Sequence, residues 1–122
     1  MAKPSLYERL GGEEKIRPIA TDLLTLHKQN VAISTRYNNA KKSDAEIIDL
    51  VVDLLCSATG GPQEYNGMDM TAAHKGMNCS VAEFVAVLDD LMAALSKHGV
   101  GEMEKAEVLG LNYALKDEII HV

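Results

Sequence analysis

The sequence predicts an all-α fold, and three features of its 122 residues support that prediction. Apolar residues recur at spacings of three and four along much of the chain, which is the period of an amphipathic helix. Three Ser-x-x-Glu sequences, beginning at Ser5, Ser43 and Ser80, match the capping box that opens helices. Glycine-rich segments separate the periodic ones, and no hairpin or βαβ pattern is present. At this length we expect a single domain, residues 1–122.

The first two helices are predicted at the beginning of the chain. A short helix follows Ser5 and is ended by Gly11-Gly12. A second helix is expected from about residue 13 to 28, because one apolar stripe runs along it. That stripe contains Ile16, Ile19, Ala20, Leu23 and Leu24. The following segment, "NVAISTRYNNAKK", breaks the period and predicts a connection with at most one short turn of helix.

The segment "IIDLVVDLLCSA", residues 47–58, predicts a helix that is covered on several sides. Its polar residues are Asp49, Asp53 and Ser57, each four apart, so they form one narrow polar line. The β-branched residues would suit a strand, but the period of four favours a helix. An otherwise apolar helix of this kind needs more cover than one neighbouring layer provides. We therefore expect something large and apolar to cover its extra face.

The second half of the chain predicts three further helices. Residues 59–67, "TGGPQEYNG", break the chain, and a short helix is expected from about Met68 to His74. A long helix follows Ser80 and ends near His98-Gly99. The last helix starts near Glu102, and its apolar positions extend to Ile119. The apolar residues of these last two helices are Val81, Phe84, Val85, Leu88, Leu91, Met92, Leu95, Met103, Ala106, Val108, Leu109, Leu115 and Ile119.

Composition excludes several classes of function. Twelve basic residues against 18 acidic ones give a formal net charge of −6, which is unfavourable for binding nucleic acid or anionic lipid. Two cysteines, Cys56 and Cys79, are too few for a disulfide framework and are expected to be reduced thiols. The sequence shows no signal peptide and no apolar run near the roughly 20 residues of a membrane span. We expect a cytoplasmic protein without nucleic-acid or membrane partners.

His74 is the candidate ligand, although its residue type alone leaves two interpretations open. The sequence lacks a phosphate-binding glycine loop, paired metal-binding cysteines and a His-Glu-x-x-His motif. It has one Phe and no Trp, so a flat apolar ligand could occupy part of the core. A neutral imidazole on a short helix can ligate porphyrin iron. A histidine at a helix C-terminus is more commonly there because its positive charge is favourable near the negative end of the helix dipole. The same interpretation applies to His27, His98 and His121.

Three segments together resemble a group I truncated haemoglobin. They are "SLYERLGG" at 5–12, "ATGGPQEYNGMDMTAAHKGM" at 58–77 and "SVAEFVAVLDDLMAAL" at 80–95. The likeness covers almost the whole chain in the same order. It implies a globin-like two-over-two helical sandwich enclosing haem b, built from helices 13–28 with 44–58 and 81–98 with 102–120. Such a haem would be the apolar cover that helix 47–58 needs.

The resemblance also implies the haem-binding residues. His74 matches the proximal ligand, and its second ring nitrogen should bind a backbone carbonyl one turn back. On the distal side Leu24 stands where the family often has tyrosine, and Tyr37 stands where it has a wedging phenylalanine. Lys41, Lys42 and Tyr65 are expected near the propionates. The remaining expected haem neighbours are Met70, Met77, Phe84, Val87 and Leu91 proximally, and Ile47, Val51 and Leu55 distally.

An apolar distal pocket has consequences for ligand binding. Without a hydrogen-bond donor it would release oxygen faster, while nitric oxide and carbon monoxide depend less on such a donor. It also lacks a sixth protein ligand, so we expect five-coordinate ferrous iron. The polar side chains that could overturn this expectation are Tyr37, Thr21 and His27.

Three functions follow from the resemblance. The first is reversible binding of diatomic gases in oxygen transport or nitric oxide handling. Nitric oxide dioxygenation or a peroxidase side activity stays open, and dioxygenation would need an electron-donating reductase. The second is a haem-based gas or redox sensor that acts through a separate partner. The third is an interaction module that has lost its haem.

Overall fold

The computed structural model describes residues 4–37, 42–67 and 69–122, and these form seven α-helices and one 3₁₀ helix. The α-helices are α1 (Leu6–Leu10), α2 (Glu13–Gln29), α3 (Asp44–Ala58), α4 (Met70–His74), α5 (Val81–Lys97), α6 (Glu102–Tyr113) and α7 (Lys116–Ile119). The 3₁₀ helix, Ser34–Tyr37, lies in the predicted connection between α2 and α3. Within the described ranges, no helix is both long and apolar enough to cross a membrane.

The predicted helix starts are confirmed by their hydrogen bonds. Ser43 and Ser80 each form a complete capping box with the glutamate three residues later. At Ser5 the hydroxyl accepts the Glu8 backbone N–H, but the reciprocal bond of a capping box is absent from its cap. Gly11 ends α1 with a φ of 101°, a left-handed conformation that glycine adopts without steric cost. Local sequence thus determines where these helices begin.

The core lies where α2 contacts α3 and α5. All five residues of the predicted α2 stripe are buried. The cluster beneath them includes Val52 and Cys56 of α3, both fully buried, and Val108 of α6. Contacts between α5 and α6 and between α1 and α6 complete the packing. The four long helices therefore form the predicted two-over-two arrangement.

Helix α3 is fully buried along one line only. Val52 and Cys56 are its buried residues. The other large apolar side chains of this helix are half-buried: Ile47, Ile48, Leu50, Val51, Leu54 and Leu55. The polar line faces outward at Asp49, which is exposed and pairs with Arg17 at 2.8 Å. The protein alone thus leaves apolar surface on α3 that a further apolar group could cover.

The prediction of one continuous helix over 102–120 is wrong. Helix α6 ends at Tyr113, and α7 begins at Lys116. The Leu115 N–H bonds to the carbonyl of Asn112, three residues back, so the chain tightens to a 3₁₀-type turn there. The Asn112 side chain donates to the Val108 carbonyl at 2.9 Å and competes with the helical hydrogen-bond pattern. The apolar residues that suggested continuity belong to two helices.

Candidate functional site

Helix α4 holds His74 at its C-terminal end with a defined ring orientation. Asp69 caps the helix by accepting the Ala72 backbone N–H at 2.8 Å. The helix starts at Met70; Met68, where the sequence suggested a start, lies outside the described residues. The His74 Nδ1–H donates to the Met70 carbonyl oxygen at 2.8 Å, one turn back as expected. In a neutral imidazole this leaves Nε2 with its lone pair free to accept or ligate.

A cavity of about 200 Å³ lies beside His74. Its walls come from the 3₁₀ segment, the loop after α4, the first half of α5, and the α6–α7 region. The lining residues are Ile33, Arg36, Tyr37, His74, Met77, Cys79, Glu83, Phe84, Val87, Leu88, Asn112 and Ile119. Four separate parts of the chain therefore meet around one histidine, with hydrocarbon as most of the wall.

Five of the residues proposed from sequence lie together at this cavity. They are His74, Tyr37, Met77, Phe84 and Val87. Phe84 is buried, and Tyr37, Met77 and Val87 are half-buried like His74. The resemblance had assigned His74, Met77, Phe84 and Val87 to the proximal side and Tyr37 to the distal side. Their role toward a ligand remains a prediction from the resemblance.

The other proposed residues do not line the cavity. Leu24 and Leu91 are buried, and Leu91 belongs to the core cluster beneath α2. Val51 and Leu55 pack against that cluster from the side. The remaining three, Ile47, Tyr65 and Met70, are half-buried. Of the two lysines expected near propionates, Lys42 is exposed and Lys41 lies outside the described residues.

Seven cavity residues were missed by the sequence analysis. They are Ile33, Arg36, Cys79, Glu83, Leu88, Asn112 and Ile119. Leu88 lay on the predicted α5 stripe and Glu83 in the predicted capping box, so both were recognised in other roles. Arg36 carried no signal, because the contacts that place it connect positions more than 40 residues apart.

Arg36 connects the 3₁₀ helix to α5 and to the loop after α4. Its Nε donates to Glu83 Oε2 at 2.7 Å and its Nη2 to Glu83 Oε1 at 3.0 Å. Its Nη1 donates to the Met77 carbonyl oxygen at 2.8 Å. The hydrogen bonds from Arg36, followed by those from Ser80, lower the pKa of Glu83 to about 2. This planar two-bond pair places two opposite charges at the cavity wall that neutralise each other.

The two weakly acidic side chains at the cavity stay protonated near neutral pH. Burial raises the pKa of the Tyr37 phenol, and the negative charge of Asp90 adds to the shift. Burial likewise raises the pKa of the Cys79 thiol. Cys79 and Cys56 are both free thiols, as predicted. Tyr37 therefore offers the cavity a neutral hydroxyl that can donate a hydrogen bond.

The other two polar candidates for the distal side have different partners. The exposed Thr21 donates its hydroxyl to the Arg17 carbonyl at 3.0 Å. His27 is buried, and its Nδ1–H donates to Asp90 Oδ2 at 2.7 Å. Its ring stacks on Tyr37 with a centroid separation of 6.2 Å. Of the three, only Tyr37 lines the cavity, with His27 packed against it.

The fold and this cavity define an all-α protein that can hold an apolar ligand against one histidine. A family model described as bacterial-like globin matches residues 5–121. The Group 1 truncated hemoglobin of Tetrahymena pyriformis is 34% identical over 102 residues, covering 82% of each chain. The chain thus belongs to the bacterial-like globin family, which implies a haem-binding globin.

Two further comparisons agree with the family. The Group 1 truncated hemoglobin of Tetrahymena thermophila is 29% identical over 119 residues, which cover 88% of this chain and 89% of that protein. The crystal structure of the truncated hemoglobin from T. pyriformis in its Fe(III) form superposes with a TM-score of 0.92. That pair is 25% identical and covers 98% of this chain and 100% of the other. The two-over-two globin fold is therefore confirmed.

The residues present fit a haem on three observations. His74 has its Nδ1 occupied by a carbonyl, the arrangement that presents Nε2 to a metal. The cavity beside it is mostly hydrocarbon. Helix α3 keeps six half-buried apolar side chains that protein does not fully cover. Among the residues with described positions, no group of three or more His, Cys, Asp or Glu could hold a free metal ion.

Proposed function

We propose that this chain is a haem b protein that binds diatomic gases, with His74 as the proximal ligand. The observation that carries the proposal is the 2.8 Å hydrogen bond from His74 Nδ1–H to the Met70 carbonyl, at the wall of an apolar cavity. That bond fixes the tautomer in which Nε2 is the free ligating nitrogen. Haem supplies an iron at which oxygen, nitric oxide or carbon monoxide binds reversibly.

The chain's own residues would hold the group and exclude water. Phe84, Val87 and Met77 supply hydrocarbon at the cavity wall. The Arg36–Glu83 pair closes that wall with opposite charges that neutralise each other. Water would be disfavoured against the hydrocarbon part of this wall, because it offers no polar atoms to satisfy the hydrogen bonds of water. Exclusion of water supports reversible binding of a gas over side reactions of the metal.

The residues that the resemblance assigns to the distal side would leave the iron five-coordinate in the ferrous state. Leu24, Ile47 and Val51 carry hydrocarbon side chains, which cannot ligate a metal. The protonated Tyr37 hydroxyl is the candidate donor for a bound gas. A neutral hydrogen bond contributes about 1 kcal/mol, so Tyr37 would slow gas release by roughly fivefold.

Absorption spectroscopy tests the proposal directly. The purified chain is reconstituted with hemin, and the ferric, ferrous and carbonmonoxy spectra are recorded. The ferrous protein should show a five-coordinate high-spin spectrum, and His74→Ala should lose the histidine-ligated bands. His98→Ala is the matched control, because His98 pairs with Asp22 at 2.6 Å and does not line the cavity. Equal hemin binding by wild type and His74→Ala would refute the assignment.

A second variant tests the donor. Tyr37→Phe keeps the ring that stacks on His27 but removes the hydroxyl. Oxygen release measured by stopped flow should accelerate by a few-fold, while carbon monoxide release should change little, since carbon monoxide depends less on a donor. An oxygen release rate identical to wild type would assign the hydroxyl no role in ligand binding.

A further inference from the structure

The loop that follows His74 is held by the last three residues of the sequence, which form a clasp. We define the clasp as residues 76–79 together with residues 120–122. The N–H groups of Gly76 and Asn78 both donate to the Val122 main-chain carbonyl oxygen, at 3.2 and 3.1 Å. The His121 N–H donates to the Cys79 carbonyl at 2.9 Å, and Cys79 and Ile120 form a parallel β-bridge.

Side chains reinforce these main-chain bonds at a strained point. His121 Nδ1 and Asn78 Oδ1 lie 2.9 Å apart, so the ring N–H donates to the amide oxygen. In the described part of the chain, these same two are the non-glycine residues with positive φ, 48° for Asn78 and 56° for His121. Left-handed conformations are uncommon outside glycine, although asparagine adopts them more readily than most residues. The bond between these two residues joins the two parts of the clasp at the positions where the backbone of each is left-handed.

Helix α4 needs such support because it cannot hold His74 in place by itself. It is five residues long and has no buried residue. An isolated helix of one turn or so is unstable in water, since nucleation costs more than so few hydrogen bonds return. Helix α7 packs against α4, and Ile119 of α7 lines the same cavity as His74. The chain from α7 to Val122 thus supports α4 along one side and the following loop at its end.

We propose that the clasp positions His74, so that residues 120–122 control how firmly the histidine holds a ligand. The proposal rests on the proposed function in that the ligand is haem. A change at residues 120–122, which lie 46 to 48 positions from His74 in sequence, would then act on the histidine through the loop without altering a residue that lines the cavity. His121 and Asn78 are accordingly positioning residues, since both are exposed and neither lines the cavity.

Amide hydrogen exchange followed by NMR tests the clasp without any ligand. In a chain shortened to end at Ile120, the Gly76 and Asn78 amides should exchange at least tenfold faster, and the ring signals of His74 should shift. Asn78→Gly keeps the left-handed backbone and the main-chain bonds but removes the side-chain bond. This variant should speed the exchange of the Gly76 and Asn78 amides by a smaller factor and shift the His74 ring signals in the same direction by a smaller amount. His98→Ala should leave them as in wild type.

Hemin loss to an excess of apomyoglobin measures the consequence for the ligand. The shortened chain should release hemin at least tenfold faster than wild type, and Asn78→Gly about threefold faster, with urea unfolding midpoints of the core helices unchanged. Unchanged exchange at Gly76 and Asn78 would overturn the clasp. Faster exchange with unchanged His74 ring signals and hemin release would show that it does not position the histidine, which also overturns the proposal. Equal hemin binding by wild type and His74→Ala would instead refute the proposed function. The amide exchange rates of Gly76 and Asn78 and the NMR signals of the His74 ring would then still test whether the clasp positions His74.

Discussion

His27 and His74 are the same type of side chain in two regions of the molecule with different surroundings. Each ring donates its Nδ1–H to one acceptor, a carboxylate at 2.7 Å for His27 and a backbone carbonyl at 2.8 Å for His74. His27 is 7% exposed between α2 and α5, and Asp90 also accepts bonds from Asn30. His74 is half-buried on a short helix at a cavity wall.

The difference teaches that surroundings, not the first hydrogen bond, separate a structural histidine from a ligand. Burial lowers the pKa of His27 below 6.5, and its bond to Asp90 offsets only part of that shift. The neutral His27 thus serves as a donor that satisfies a buried carboxylate. His74 has a weak local framework and open space beside it, which suits a side chain that binds something else.

The largest expected effect is at Asp90. Asp90→Ala leaves the buried donor of His27 and the half-buried donor of Asn30 without their acceptor, and an unsatisfied buried donor costs about 1–3 kcal/mol. We expect the free energy of unfolding of the haem-free protein to fall by roughly 2–4 kcal/mol, measured by urea denaturation. Asp89→Ala is the control, since Asp89 is exposed on the same helix and should change stability by about 0.5 kcal/mol or less. Equal losses for both variants would contradict a special role for the buried network.

The second effect is a pH dependence that originates at His27. The unfolded chain takes up a proton near pH 6.5, whereas the folded protein does so only at lower pH. The unfolded state therefore binds more protons in that interval, and the free energy of unfolding falls as the pH drops below about 6.5. His27→Leu should flatten this slope between pH 7 and 5 in urea titrations. A slope that is unchanged in the variant would mean that His27 is not the group responsible.

The third effect concerns the ion pair at the cavity. Arg36→Met removes three hydrogen bonds from a partly exposed pair and should cost about 1 kcal/mol at pH 6. The pKa of Glu83 is about 2 when folded against an ordinary 4.5, so the pair stabilises the fold above pH 4.5 and that stability is lost as the pH falls toward 2. Wild type and variant should therefore converge in acid. A constant difference down to pH 2 would indicate lost packing instead of lost charge.

The smallest effect should be local to the His74 region. Asp69→Ala removes the N-cap of α4, worth about 1 kcal/mol, and should speed amide exchange in α4 roughly fivefold without shifting global unfolding. Ser80→Ala removes the equivalent cap from the core helix α5 and should lower global stability by a similar amount. If Asp69→Ala also lowered the free energy of global unfolding, α4 would belong to the same cooperative unit as the core.

The helices could be predicted because short-range bonds determine them. Ser43 and Ser80 bond to residues three positions later, and the α2 stripe follows from helical period alone. The failure at α6–α7 has the same origin, since the apolar spacing continues through a turn that Asn112 and Leu115 tighten. Local pattern reports where a helix can form, but a competing side-chain bond can still end it.

The candidate site was only partly predictable. His74, Tyr37 and Phe84 were found through the resemblance and do line one cavity. Leu91 belongs to the core cluster instead, although its spacing of seven residues from Phe84 puts both on the same face of α5. Arg36 meets Glu83 across 47 residues, and His27 meets Asp90 across 63. No spacing rule connects positions so far apart.

The sequence by itself determined the helix starts, the buried stripe of α2, the acidic charge and the motif around His74. Only the tertiary structure decided that His27 donates to a buried carboxylate, that Arg36 lines the cavity, and that residues 120–122 hold the loop after His74. The physical reason is range. Capping and periodicity act within one or two helical turns, whereas burial, ion pairing and the clasp arise only after distant segments have packed together.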